Sequence, residues 1–191
     1  MRRPWERRRA SKSQSMIFSE TKLPGAFVID LEPLEDERGF FARCWSEEEF
    51  AARELNPRLV ETNISFNPKE GTLRGMHFQI APHAQSKLVR CTAGAIYDVI
   101  IDLRPESATF KQWTAVELTA ANHRQLYIPE GFAHGFQTLV NNTEVLYQMS
   151  APYSAESARG VRWNDPAFGI DWPPAERIII ARDQTYPDFT G

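Results

Sequence analysis

Apolar and polar residues alternate along most of the chain in short runs, and turn residues separate these runs at intervals of about ten residues. In 96–103, the odd-numbered residues from Tyr97 to Leu103 share one face, and the even-numbered residues from Asp98 to Asp102 share the other. This period of two is typical of β-strands. The same pattern predicts a peripheral strand pair within 17–34 and strands at 59–66, 72–79, 87–92, 96–103, 113–118, 125–128, 135–139 and 144–149.

No helical pattern separates these strands, so they predict an all-β fold, a jelly-roll barrel or sandwich with a few short peripheral helices. The clearest helical stretch is 46–55, where Ser46 and Glu49 have the spacing of a capping box. It predicts a short capped helix. The tail from Tyr153 to Gly191 is richer in Pro, Asp and Trp, which predicts ordered loops and short helical turns.

Charge divides the chain into a short basic segment and a longer acidic part. Residues 1–15 hold six of the 22 Lys and Arg and one of the 25 Asp and Glu, which leaves sixteen basic and twenty-four acidic residues from Met16 onward. This balance argues against general nucleic-acid binding. We expect 1–15 to be a disordered extension or an added segment before a natural start at Met16, and 16–191 to be one domain.

Cysteine usage and hydropathy bear on the compartment. Cys44 and Cys91 lie in apolar, strand-like contexts without metal-ligand spacing, which predicts buried free thiols. No run approaches the roughly 18 apolar residues of a membrane span, and no apolar segment of a signal peptide follows the basic N-terminus. We therefore expect a cytoplasmic protein that binds neither membranes nor nucleic acids.

Candidate chemistry is concentrated in 73–79, which contains Arg74 and His77, and at Lys87 in the next predicted strand. Unpaired charge is costly to bury among apolar residues, so such a cluster is usually a site. Alternation places Arg74 and His77 on opposite faces, but Gly75 permits a bulge through which both reach one cavity. A histidine that transfers protons needs an orienting carboxylate. Spacing leaves five candidates: Asp98, Asp102, Asp165, Asp171 and Asp183.

A second motif lies in 128–136, where Pro129, Gly131 and His134 have the P-x-G-x-x-H spacing of the second cupin motif. In metal-binding cupins this histidine joins an H-x-H pair and a glutamate. Here the second histidine of that pair is replaced by Gln79, so two histidines without a clear carboxylate make a poor metal site. We expect neither a metal nor another cofactor, and a metal-dependent cupin oxygenase is an alternative hypothesis.

Five motifs together resemble the dTDP-4-dehydrorhamnose 3,5-epimerase family in order and spacing, from about Phe18 to Asp183. They are DERGFF at 36–41, LRGMHFQ at 73–79, KLVR at 87–90, IPEGFAHGF at 128–136 and WNDP at 163–166. The resemblance implies a cupin-type jelly-roll homodimer that uses no metal and acts on a nucleotide-linked 4-keto-6-deoxyhexose.

The resemblance also implies roles for four catalytic residues. His77 would remove the proton α to the ketone, Asp183 would be the carboxylate paired with it, and Tyr147 would return a proton from the opposite face. Lys87 would stabilise the enolate oxygen on C4. This inventory agrees with the chemistry, because the C4 ketone acidifies the C3 and C5 hydrogens and no redox cofactor is required.

The resemblance further implies nucleotide and pyrophosphate contacts from Arg74 and, in the partner chain, from Arg38 and Phe41. The full predicted substrate-binding set is Arg38, Phe41, Arg43, Asn63, Arg74, Gln79, His134 and Tyr153. The chain departs from the family pattern at Arg43, where a glutamate is expected, and at Ser86, where glycine is common. Thymidine is the leading expectation for the base of the nucleotide. Arg43 lies where it can alter that preference.

These observations favour the conversion of dTDP-4-dehydro-6-deoxy-D-glucose to dTDP-4-dehydro-L-rhamnose by inversion at C3 and C5. One alternative is a single-centre epimerase or ketoisomerase acting on another nucleotide sugar, such as a CDP, UDP or GDP sugar. A further alternative, from a different class, is a sugar-binding cupin without catalytic activity.

Overall fold

The computed structural model describes residues 15–191, and in this range β-strands dominate over two short helices. The elements are β1 (Met16–Glu20), β2 (Phe27–Leu31), β3 (Leu34–Asp36), β4 (Gly39–Phe41), α1 (Glu47–Ala51), β5 (Glu61–Asn67), β6 (Leu73–Gln79), β7 (Lys87–Ala93), β8 (Ala95–Asp102), β9 (Trp113–Thr119), β10 (Gln125–Ile128), β11 (Phe132–Thr138), β12 (Thr143–Met149), β13 (Ala158–Gly160) and α2 (Ala181–Gln184). The disorder predicted for 1–15 falls on residues 1–14, which lie outside the described residues, and on Ser15, which is described.

Two antiparallel sheets form the body of the fold. The six-stranded sheet has the order β1-β2-β10-β7-β12-β5, and the five-stranded sheet has the order β13-β6-β11-β8-β9. Strands β3 and β4 pair with each other as a separate hairpin around Glu37 and Arg38. The predicted all-β jelly-roll architecture with short peripheral helices is confirmed. Strand β13 was not predicted, because three residues are too few to show a period of two.

The main apolar core fills the space between the sheets. It joins Val89 and Val145 of the six-stranded sheet to Ile96, Ile100 and Phe136 of the five-stranded sheet, all of them buried. Strand β8 is buried on both faces, since its odd-numbered residues contribute to a second core on the outer side of its sheet. The alternation predicted for 96–103 is therefore confirmed.

Helix α1 covers the outer face of the six-stranded sheet through the buried ring of Phe50. Ser46 occupies the N-cap position, but its side chain makes no capping hydrogen bond, so the predicted capping box is wrong. Glu49 is engaged elsewhere. Its carboxylate accepts a hydrogen bond from the backbone N of Met16 at 3.0 Å and pairs with Arg43 at 3.2 Å.

The tail covers the outer face of the five-stranded sheet, where Phe168, Trp172 and Phe189 pack against β8 and its neighbours. Strand β13 pairs with β6 and places Gly160 opposite His77. This path brings α2, near the end of the chain, back to the middle of β6.

The two cysteines differ in their surroundings. Cys91 is buried in β7, as predicted, whereas Cys44 is exposed. The prediction is wrong for Cys44 because this residue lies in the loop between β4 and α1, where no neighbouring strand covers it.

In residues 15–191, neither α1 nor α2 has the length and apolar character to cross a bilayer.

Candidate active site

A bulge in β6 brings two charged residues to one cavity. His77 pairs with His134 of β11 and Arg74 pairs with Phe136, so three residue steps on β6 face two on β11. Gly75 lies within the bulge at φ +133°, and a Cβ there would come within 2.5 Å of the Cα of Gly135. Arg74 and His77 both line the cavity, which confirms the predicted effect of the bulge.

The cavity has a volume of about 650 Å³, which suits a small organic ligand. All four predicted catalytic residues line it. His77 comes from β6 in one sheet, Lys87 and Tyr147 come from β7 and β12 in the other, and Asp183 comes from α2. The packing of the two sheets therefore brings together residues that are far apart in sequence.

His77 and Asp183 form a close pair. Nε2 of His77 lies 2.8 Å from Oδ1 of Asp183, while the backbone N of Gly75 donates to Oδ2 at 3.1 Å. Burial alone would raise the pKa of the Asp183 carboxyl, but the hydrogen bonds from His77, Gly75 and Arg182 outweigh it and hold the pKa below its usual value. Asp183 is thus an ionised partner that orients the imidazole.

Arg182 is a neighbour of this pair that the sequence analysis missed. Its Nε donates to Oδ1 of Asp183 at 3.2 Å, and its Nη2 lies 3.2 Å from Nε2 of His77. This guanidinium places a positive charge beside the imidazole. The available signal was its position, because Arg182 immediately precedes the predicted carboxylate.

Lys87 lies half-buried in the cavity wall, with Nζ 3.4 Å from the carbonyl oxygen of His77. Loss of hydration lowers the pKa of Lys87 from 10.5 to about 8, although the negative charge of Asp98 works in the opposite direction. The side chain is therefore mainly an ammonium at neutral pH.

A second histidine–carboxylate pair lies beside the first. Nε2 of His134 is 2.7 Å from Oδ1 of Asp98, and both side chains are buried. Within residues 15–191, Oδ2 of Asp98 has no hydrogen-bond partner. Asp98 was one of the five candidate carboxylates, and the structure places it with His134 rather than with His77.

Tyr147 lies in the wall formed by the six-stranded sheet, directly opposite Asn63 in the pairing of β12 with β5. Burial raises the pKa of the Tyr147 phenol, and the positive charge of Arg74 opposes this effect. Arg74 itself is held by a hydrogen bond from Nε to Oδ1 of Asn67 at 2.8 Å. Asn63, Arg74 and Tyr147 thus line the same cavity.

Three of the predicted substrate-binding residues lie away from this cavity. Arg38 and Phe41 are exposed on the β3–β4 hairpin, where Arg38 pairs with Asp36. Arg43 pairs with Glu49 of α1. Within the described chain, none of the three joins the other predicted residues.

The remaining two predicted residues line the cavity in different ways. The amide of Gln79 is occupied by backbone groups, since Nε2 donates to the carbonyl of His83 at 2.6 Å and Oε1 accepts from the N of Ser154 at 2.7 Å. It anchors the loops at the end of β6. Tyr153 is 64% exposed at the rim.

The histidines do not converge on a metal site in the part of the chain that the structure describes. No group of three His, Cys, Asp or Glu side chains in residues 15–191 has the proximity needed to hold an ion. His77 and His134 are cross-strand neighbours, but each is oriented by its own aspartate.

The jelly-roll sandwich and the histidine–aspartate pair in its cavity define a class, that of cupin-type enzymes with a site for proton transfer. A family profile described as dTDP-4-dehydrorhamnose 3,5-epimerase matches residues 20–191. The chain belongs to this family, and it is an isomerase of the carbohydrate-epimerase type.

Named relatives extend over nearly the whole chain. The dTDP-4-dehydrorhamnose 3,5-epimerase of Sinorhizobium fredii is 43% identical over 177 residues, which cover 92% of this chain and 88% of the relative. The enzyme of the same name from Salmonella typhimurium is 45% identical over 176 residues, which cover 90% and 94% of the two chains.

Solved structures agree with this assignment. The Bacillus anthracis epimerase with TDP and PPi bound has a TM-score of 0.88 and 42% identity, covering 92% of this chain and 100% of that one. The Legionella pneumophila epimerase in complex with dTDP-4-keto-L-rhamnose has a TM-score of 0.82 and 35% identity, covering 88% and 90%. A 3'-monoepimerase from Streptomyces bikiniensis, in complex with dTDP-quinovose, has a TM-score of 0.82 and 28% identity, covering 88% and 85%.

Proposed function

We propose that the protein converts dTDP-4-dehydro-6-deoxy-D-glucose to dTDP-4-dehydro-L-rhamnose by inverting C3 and C5. The observation that carries this proposal is that the His77–Asp183 pair, Lys87 and Tyr147 line one cavity. The names of the relatives and the TDP and dTDP-4-keto-L-rhamnose bound to two of the similar structures support the choice of substrate.

His77 acts as the base. Because Nε2 is engaged by Asp183, Nδ1 is the nitrogen left to accept a proton from the carbon next to the ketone. The carboxylate of Asp183 stabilises the imidazolium that forms, as an orienting carboxylate does in other histidine-dependent enzymes. Arg182 contacts both members of the pair, with Nε on Oδ1 of Asp183 and Nη2 beside Nε2 of His77, and so helps to hold them in place.

Lys87 stabilises the enolate. Removal of the proton from C3 or C5 places negative charge on the C4 oxygen, and a half-buried ammonium beside that oxygen would stabilise the charge. Loss of such a group typically costs about 10²- to 10³-fold in rate. The half-buried position of Lys87 suits this role.

Tyr147 returns the proton. Burial raises the pKa of its phenol, so the group is protonated at neutral pH and able to donate. It lies on the six-stranded sheet, whereas His77 lies on the five-stranded sheet, so the two approach a bound sugar from opposite sides. Removal on one face and return on the other inverts the carbon.

The nucleotide is held between two copies of the chain. Arg74 and Asn63 supply contacts from one copy, and the hairpin with Arg38 and Phe41 supplies contacts from the second. The support for a homodimer is that Phe41 is 62% exposed and away from its own cavity, while edge strand β5 exposes Ile64.

A cytoplasmic location stays a prediction.

The test is to incubate the protein with the dTDP-4-keto-6-deoxyglucose substrate in deuterated water and to follow C3 and C5 by NMR. We expect deuterium at both carbons and a product with both centres inverted. A His77→Asn variant should lose exchange at both carbons. The matched control is His83→Asn, because His83 bonds Ser157 at 2.9 Å outside the cavity and should be dispensable. Exchange by the His77 variant at the parent's rate would refute the role of His77.

A second candidate function is single-centre inversion, which the similarity to a 3'-monoepimerase favours. Deuterium at C3 alone would support it. Arg43 departs from the family pattern at a position that can affect the choice of nucleotide base. Rates of epimerisation compared among dTDP, CDP, UDP and GDP sugars test this choice. We expect the dTDP sugar to react fastest.

A further inference from the structure

Tyr186 lies beside the base and has no role in the mechanism so far. It follows α2, lines the cavity and is half-buried. Its ring meets the His77 imidazole edge to face, with the ring centroids 6.3 Å apart and the planes at 72°. Such a contact favours one relative orientation of two rings.

Gly160 provides the surface on which this ring rests. It is the cross-strand neighbour of His77 in the pairing of β13 with β6. A Cβ built on Gly160 would lie 2.2 Å from Cζ and 2.6 Å from Oη of Tyr186. Gly160 is outside the left-handed region, so glycine is required here for space rather than for conformation. The pairing register therefore places the tyrosine ring directly beside the imidazole.

The backbone at Tyr186 and in the three residues that follow it is held by contacts with the rest of the tail. Nη1 of Arg162 donates to the carbonyl of Tyr186 at 3.3 Å, and the same guanidinium pairs with Asp188. One residue further, the N of Phe189 donates to Oδ2 of Asp165 at 2.7 Å. The position of the ring is thus determined by the tail as well as by β13.

We propose that Tyr186 is a positioning residue for the His77 base and that Gly160 leaves the space in which the Tyr186 ring packs. The inference rests on the proposed function. Asp183 fixes one nitrogen of the imidazole, and the Tyr186 ring restricts rotation of the imidazole about χ2, so that Nδ1 faces the substrate. Without the ring, the imidazole samples orientations in which Nδ1 is misdirected, and turnover falls while substrate binding persists.

The contribution of Tyr186 comes from the shape of its ring. Its hydroxyl makes no hydrogen bond with any residue in 15–191, whereas the ring itself contacts both His77 and the backbone at Gly160. Phenylalanine therefore preserves the function and alanine removes it.

The experiment compares the Tyr186→Phe, Tyr186→Ala and Gly160→Ala variants with the parent, and Thr185→Ala serves as the control. Thr185 is exposed and adjacent, so its replacement reports on general loosening of the tail. We expect Tyr186→Ala and Gly160→Ala to lower kcat by about 10- to 100-fold with KM within twofold. Tyr186→Phe should retain more than half of the parent's kcat. The imidazole NMR titration of His77 should change in the two damaging variants.

The double variant Gly160→Ala with Tyr186→Ala makes the test specific. If the added methyl group acts by displacing the ring, it has no target once the ring is gone, and the double variant matches Tyr186→Ala alone. Additive losses would overturn the proposal. So would a rise in KM with kcat intact, because a wall of the sugar site would behave in that way, or a loss in Thr185→Ala equal to that in Tyr186→Ala.

The outcome is separable from that of the proposed function. Solvent exchange by the parent tests the reaction, whereas the NMR titration of His77 needs no substrate. If the parent fails to exchange, an unchanged titration in Tyr186→Ala still overturns the positioning role, and a changed one still supports it.

Discussion

Replacing Lys87 with methionine separates what the ammonium does for the reaction from what its burial does to the fold. Methionine matches the length and flexibility of the lysine stem without its charge. The methionine side chain should pack against its neighbours at least as well as the lysine side chain does. The variant should lose turnover by about 10²- to 10³-fold, because the ammonium proposed to stabilise the enolate is gone.

The size of the stability change follows from the pKa of Lys87, which falls from 10.5 to about 8 on folding. Each pKa unit corresponds to about 1.4 kcal/mol, so holding the charged form in the cavity costs about 3 kcal/mol at pH 7. The figure already includes the attraction of Asp98. Lys87→Met should therefore raise the free energy of unfolding by about 3 kcal/mol at that pH.

The sign of the pH dependence follows from proton binding. Between pH 8 and 10.5 the unfolded chain keeps the lysine proton while the folded protein has lost it, so the parent gains stability as the pH rises. The advantage of the methionine variant should shrink from about 3 kcal/mol at pH 7 to about 1 kcal/mol at pH 9.5. Urea unfolding followed by tryptophan fluorescence at the two pH values measures both differences.

Two results would refute this reasoning. A Lys87→Met variant less stable than the parent at pH 7 would mean that the ammonium is well solvated or well paired. A stability difference that is the same at pH 7 and pH 9.5 would mean that the lysine titrates normally. The parent's kcat/KM should also fall as the pH rises past about 8, since the ammonium is lost there.

Three further predictions concern the acid, the carboxylate and the bulge. Tyr147→Phe should still incorporate deuterium but form inverted product about 10²-fold more slowly, and an unchanged rate of inversion measured by NMR would contradict its role. Asp183→Asn should lower kcat by about 10²- to 10⁴-fold in steady-state kinetics with KM little changed. Gly75→Ala should cost about 3 kcal/mol or more of unfolding free energy, whereas Gly39→Ala, also at positive φ but with nothing within 4 Å, should cost less.

Much of the sheet architecture was predictable because alternation is a local signal. The strand at 125–128 has the predicted bounds, and the bulge at Gly75 followed from the conflict between alternation and the need for Arg74 and His77 to share a cavity. Both features depend on the alternation of residues within one strand, which the sequence shows directly.

Features that depend on distant contacts were less accessible. Spacing offered five carboxylates for one histidine, because Asp183 meets His77 across 106 positions and the tail has no periodic pattern; family resemblance was needed to choose it. Ser46 and Glu49 have the spacing of a capping box, but the Glu49 carboxylate binds the backbone N of Met16 and the guanidinium of Arg43 instead. Tyr186 was missed because its position depends on Gly160, in a strand too short to recognise.

The proposed base and acid lie on different sheets, so the core between the sheets determines how they are placed relative to a bound sugar. The distance from His77 to Tyr147 is determined by how closely the sheets pack, and residues such as Ile100 and Val145 between them act as spacers. A methyl group added or removed at a spacer should alter the distance between the proposed base and acid, although no residue that lines the cavity is changed. The geometry of the proposed site is thus open to selection through substitutions in the core.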